Sequence, residues 1–212
     1  MPDPAVVDTV DLRYFLFVGR GSLLVDLLGR PIYVPRVVYD PDEGALPNLD
    51  DMSEVTRSIR FQQAIADEVN RPDGDRTIAR ENAERLRLVH QMYADGHIAL
   101  VDLSEAESVN AVRLSSRFSR HSAPSRFPLD AGEAACVAVA HARGWVLASD
   151  DTAALGALEH MSPGHAYERI RRLLRRAATE GRISEEEANA IHAEMVRRGF
   201  WDKEPPFPSA NP

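Results

Sequence analysis

Acidic residues stand at or near the ends of four apolar runs that are far apart in this chain. Asp8 closes Ala5-Val6-Val7, and Asp40 follows Ile32 through Tyr39. Glu133 lies in Leu129-Asp130-Ala131-Gly132-Glu133-Ala134-Ala135, and Asp150 and Asp151 end the run Trp145 to Ser149. In a protein of alternating strands and helices, strand ends share one edge of a sheet, so dispersed carboxylates can meet there. Carboxylates that meet repel one another and raise each other's pKa unless a cation lies among them. Their hard oxygen donors suit Mg²⁺ or Mn²⁺.

Each acid also has a structural reading. Asp8 can cap the helix after it. Glu133 falls in a first helical turn, where a negative charge favours the dipole. Asp150 and Asp151 read as a cap plus a first-turn acid, and Asp40 shares an acidic loop with Asp42 and Glu43. Which of Asp150 and Asp151 would be a ligand stays open, as does the choice among Asp40, Asp42 and Glu43.

The elements that must position these acids follow from periodicity and breakers. A strand at Val6 leads into two helices carrying Leu12, Phe15, Leu16, Leu23, Leu24, Leu27 and Leu28, with Gly19 and Gly21 between them. Ile32-Tyr33-Val34 reads as a short strand, and Pro35 suits the first turn of a helix. The polar stretch 40–51 is a loop. A helical insertion follows at about 51–96, with one helix over 53–69 and another over 77–94. His97 to Val101 is a strand, followed by a helix carrying Val109, Val112, Leu114 and Phe118. After a loop over 121–128 come a helix to Ala142, a strand over 145–148 and a helix from Asp151. Two final helices span about 165–179 and 184–198, with a fifth strand expected near 161–165. The Pro-rich tail 202–212 is expected to be disordered. The expected fold is α/β: a mostly parallel central sheet flanked by helices in a single domain over 1–201, with the insertion after the second strand.

Composition bounds the partners. The chain has 212 residues, 44% hydrophobic and 27% charged, as in an ordinary globular protein. No apolar run reaches the ~20 residues of a membrane helix. The first residues lack the pattern of a signal peptide. A lone cysteine, Cys136, allows no internal disulfide, and the expected location is cytoplasmic. A net charge of −8 argues against indiscriminate nucleic-acid binding. Lys203 is the only lysine, so the basic side is almost entirely arginine. Arg169, Arg171, Arg172, Arg175 and Arg176 form one cluster, and Arg113, Arg117, Arg120 and Arg126 another. With Ile170, Leu173, Leu174 and Ala177 as an apolar face, the first cluster must point outward, as a solvated face or a phosphate contact. His90, His97, His141, His160, His165 and His192 show no paired metal spacing, His121 and the loop beside it could border a substrate channel, and Cys136 reads as core.

The segments Val7-Asp8-Thr9 with Tyr14-Phe15-Leu16, Tyr33 to Asp40, Leu129 to Ala135 and Val146 to Asp151 resemble, in order, pieces of the PIN-domain nucleases. The end of the chain, from Leu173 to Phe200, resembles the helical tail of one bacterial and archaeal subgroup. Val10 and Asp40 depart from that pattern, which favours a small polar residue and a glutamate there. The resemblance implies a PIN-like three-layer sandwich and a Mg²⁺- or Mn²⁺-dependent endoribonuclease, as in the toxins of toxin–antitoxin pairs. It implies metal ligands at Asp8, Asp40, Glu133, Asp150 and Asp151, with Asp8, Glu133, Asp150 and Asp151 catalytic. RNA or phosphate contacts would come from Thr9, Arg171, Arg172 and Arg175. Its expected partners are RNA, an antitoxin protein and a second copy of the chain. Such an ion polarises a phosphate and lowers the pKa of a bound water, so no side-chain nucleophile is required. Two other readings stand beside it: a PIN-like interaction module that cleaves little, and a metal-dependent phosphatase or DNA nuclease.

Overall fold

Four short apolar runs and a two-residue segment form one sheet: β1 (Ala5–Val7), β2 (Ile32–Pro35), β3 (Ile98–Val101), β4 (Val146–Ala148) and β5 (Tyr167–Glu168). The strand order is β3-β2-β1-β4-β5 and every pairing is parallel. The structure is a computed structural model and describes residues 3–39, 76–115 and 129–208. Parallel strands need crossovers on the sheet faces, which is why the strands read as unbroken apolar runs rather than alternating ones. Between them lie α1 (Thr9–Phe17), α2 (Gly21–Leu28), α3 (Arg36–Tyr39), α4 (Arg76–Leu86), α5 (Leu88–Ala94) and α6 (Glu105–Ser115). Then follow α7 (Ala131–Arg143), α8 (Thr152–Met161), α9 (Ile170–Thr179) and α10 (Glu185–Arg197). The fold is α/β, with helices flanking an all-parallel sheet.

Helix α7 lies against β1, β2 and β4, with α3, α6 and α8 around it. Its run from Ala134 to Ala140 is buried without a break, and small side chains let its backbone come close to the sheet. Elsewhere α1 meets α2, α4 and α10, while α9 packs on α2 and α10. Ile170, Leu173, Leu174 and Ala177 form the buried face of α9. Truncating a leucine buried like Leu174 costs about 2–5 kcal/mol. Gly21 is fixed by packing, since a Cβ there would stand 3.0 Å from the Met92 sulfur.

Several boundaries differ from expectation. The fifth strand is Tyr167–Glu168, two residues pairing with Leu147 and Ala148, and not 161–165. Its brevity leaves it without a sequence signal. The helix expected over 77–94 breaks at Arg87 into α4 and α5. The tail is held in place as far as Pro208: the Phe207 backbone exchanges two hydrogen bonds with the Asn189 side chain, and Pro206 is buried. The helix expected over 53–69, the loop over 121–128 and the last four residues lie outside the described residues. No helix among the described residues is long and apolar enough to cross a membrane.

Candidate functional site

At the carboxyl edge of the sheet, β1 ends at Val7 and the chain turns into α1 through Asp8. The Asp8 N–H still donates to the Ala148 carbonyl at 2.9 Å, which keeps it level with the end of β4. Its carboxylate caps α1 by accepting from the Thr9 N–H at 2.6 Å. The other oxygen accepts from the Ser149 hydroxyl at 3.1 Å, and that hydroxyl accepts from the Asp151 N–H at 3.1 Å. Ser149 therefore ties the first acid to the last. Burial pushes Asp8 up to about 6, reinforced by the charges of Asp130 and Asp151 and opposed by the Thr9 and Ser149 hydrogen bonds.

Asp130 and Glu133 open α7 as a capping box. The Glu133 N–H donates to Asp130 at 2.8 Å, and the Asp130 N–H donates back to Glu133 at 3.0 Å. This box holds Glu133 over the edge of the sheet rather than out in solvent. Burial pushes its carboxyl up to about 7, reinforced by the charges of Asp130, Asp151 and Asp8 against the Asp130 N–H. Asp8, Asp130, Glu133 and Asp151 thus form one electrostatic group drawn from two strand ends and a helix start.

Asp150 and Asp151 separate into two roles. Asp151 caps α8 through the Ala154 N–H at 2.7 Å and is half-buried beside Asp8 and Glu133. Asp150 is fully buried and turned the other way. It accepts from the Ile170 N–H at 2.7 Å, capping α9 across the sheet, and from the Arg169 guanidinium at 3.2 Å. Its pKa is raised by burial and held back by those two donors.

Asp11 joins Asp150 there. It lies one turn after Asp8 on α1, fully buried, with its carboxyl set against the side chain and backbone of Asp150. Burial, then the charges of Asp150 and Asp8, raise its pKa far above the usual carboxylate range. A proton held by Asp11 is what allows the two carboxyls to adjoin.

Asp11, Asp130 and Ser149 carry no mark in the sequence as strong as an acid at a strand end. The spacing of three from Asp8 to Asp11 was the available signal for the first, since it places both on one helix face. The capping-box spacing was the signal for Asp130.

The other expected contacts have partners within the chain. Arg171 pairs with Asp202 at 3.8 Å and with Glu204, and Arg172 with Glu168 at 3.4 Å. Arg175 donates to the Pro206 carbonyl. Thr9 contributes its N–H to Asp8. Asp40, Arg117, Arg120 and Arg126 lie outside the described residues. Cys136 is buried with its sulfur 3.7 Å from the Val7 carbonyl, as expected of a core thiol.

The donor set suits a hard divalent cation: carboxylate oxygens, and a hydroxyl that orients the Asp8 carboxylate. Among the described residues, no three acids, histidines or cysteines stand in a ready-made metal-binding group. One oxygen of each of Glu133, Asp130 and Asp151 serves a helix cap. Comparison with family models, with curated proteins and with solved structures found no match for this chain.

Proposed function

We propose that this protein is a PIN-like, Mg²⁺- or Mn²⁺-dependent endoribonuclease, of the kind found as the toxin of a toxin–antitoxin pair. The observation that carries this reading is the meeting of Asp8, Asp130, Glu133 and Asp151 at the carboxyl edge of a parallel sheet, where the charges of Asp130 and Asp151 help raise Asp8 and Glu133. Asp8, Glu133 and Asp151 would hold the ion, which when bound polarises a phosphodiester and lowers the pKa of its water. Ser149 fixes the Asp8 carboxylate, and the capping box fixes Glu133. Asp150, committed to Arg169 and Ile170, positions α9 rather than binding the ion.

A second reading has its own support. Every acid of the group already serves a helix cap, so the constellation also suits an interaction module that keeps the fold and cleaves little. Incubating a mixed RNA pool with Mn²⁺, Mg²⁺ or EDTA separates the two. Metal-dependent cleavage, lost in Asp8→Asn and in Asp151→Asn, supports the nuclease. Metal should also raise the melting temperature of the wild type by binding the native state. No cleavage, together with an equal thermal shift in wild type and an Asp8→Asn/Asp151→Asn variant, favours the module.

A further inference from the structure

Behind Asp150 lies a cavity of about 170 Å³ lined by Asp150, Arg169, Arg171, Arg172, Arg175 and Asp202. Four arginines of one helix and its N-cap line it, with Asp150 paired to Arg169 and Asp202 to Arg171. The carboxylates that answer them are unequal. Asp150 is buried, but the Glu204 side chain on Arg171 is 70% exposed, and Arg172 is itself 66% exposed. Glu204 is the most exposed carboxylate on these arginines, and a solvent-facing partner of that kind exchanges readily for a better anion. Arg175 answers a neutral carbonyl, that of Pro206. The volume is below the roughly 300–1,000 Å³ of pockets that enclose a whole small molecule, so it admits one anionic group.

Beside it stands Trp201, 56% exposed, with the Arg169 guanidinium 5.8 Å from its ring centre. A guanidinium-lined pocket next to an exposed indole combines phosphate binding with base stacking, the two contacts that hold single-stranded nucleic acid. Arginine suits the phosphate because its planar fork can contact two oxygens at once.

We propose that this pocket is a subsite for one phosphate of a single-stranded polynucleotide, that the adjoining base stacks on Trp201, and that Glu204 is a built-in competitor for the phosphate. The proposal rests on the nuclease reading, because Asp150 lines this pocket and Asp151 of the acidic group follows it directly in the chain. Until a strand displaces it, Glu204 keeps the Arg171 guanidinium paired.

The test is equilibrium binding of a labelled six-nucleotide oligouridylate to the full chain in EDTA across a salt series. Cleavage of the mixed RNA pool is measured separately. Arg171→Gln/Arg172→Gln should weaken binding and flatten the log–log salt slope by about 0.7 units, because the one phosphate in the pocket is no longer neutralised. Trp201→Ala should weaken it by about tenfold. Glu204→Gln, at an exposed position that the fold does not need, should tighten binding by about two- to fivefold. An oligodeoxyuridylate should bind equally well, since neither guanidinium nor indole reads a 2′-hydroxyl. Absence of binding, an unchanged salt slope, or no gain in Glu204→Gln would overturn the subsite. Binding with these responses but without metal-dependent cleavage would uphold the subsite and sink the nuclease reading. Cleavage without these responses would do the reverse.

Discussion

Asp11 is a fully buried carboxyl set against Asp150, and its titration follows from that burial. Its raised pKa means that the native state keeps a proton which the unfolded chain gives up above about pH 4. A native-state preference for the proton stabilises the fold below the unfolded pKa and is lost as pH climbs. Asn at this position offers an N–H to Asp150 without needing a proton. Asp11→Asn should therefore gain stability over the wild type as pH rises from 4 to 7, by about 1–3 kcal/mol, read by urea unfolding at several pH values. A constant difference across that range would show that Asp11 does not titrate there. The neighbouring acids divide just as sharply. Asp150→Ala leaves the Ile170 N–H and the Arg169 guanidinium without their carboxylate and should cost about 1–3 kcal/mol. Asp151→Ala loses one helix cap, worth about 1 kcal/mol, and relieves repulsion with Asp8 and Glu133, so its net cost should be smaller. Equal costs in urea unfolding at pH 7 would contradict the split of roles.

At the scale of elements, helix α6 shows how one acid can cap a helix and pair with another element. Glu107 accepts from the Ser104 N–H at 2.7 Å, and Arg143 of α7 donates to it at 2.6 and 2.9 Å. Those bonds, the Arg143 pair first, hold the carboxyl down to about 2 against its burial. A depressed folded pKa adds stability above the unfolded value of 4.5 and loses it as pH falls toward 2. Glu107→Gln should cost about 1–3 kcal/mol at pH 7, and the difference from wild type should shrink below pH 4. Thermal melts at pH 7 and pH 3 test this. Much of this level was legible in the sequence. Ser104-Glu105-Ala106-Glu107 reads as a capping start, Gly144 as a terminator, and the strands before Asp8 and Asp150 as apolar runs. What stayed hidden depended on distant partners. The two-residue β5 exists because β4 offers it an edge, and Asp150 became a cap for α9 through a contact twenty positions away. The tail read as disorder from its prolines, yet Asn189 holds its backbone.

For the whole molecule, the sheet order places β1 at the centre, between β2 and β4. The site therefore joins the chain's opening strand to residues that follow most of its length. A ribosome making about 5–20 residues per second needs on the order of ten seconds to travel from Asp8 to Asp151. During that interval Asp8 sits at an open edge, with no Ser149 to orient it and no Asp151 beside it. A fragment ending before Val146 should accordingly lack the carboxylate group altogether, however well β1, β2 and β3 pair. The order of the strands works as a clock: the carboxylate group is assembled only after the ribosome has finished β4, late in the making of each molecule.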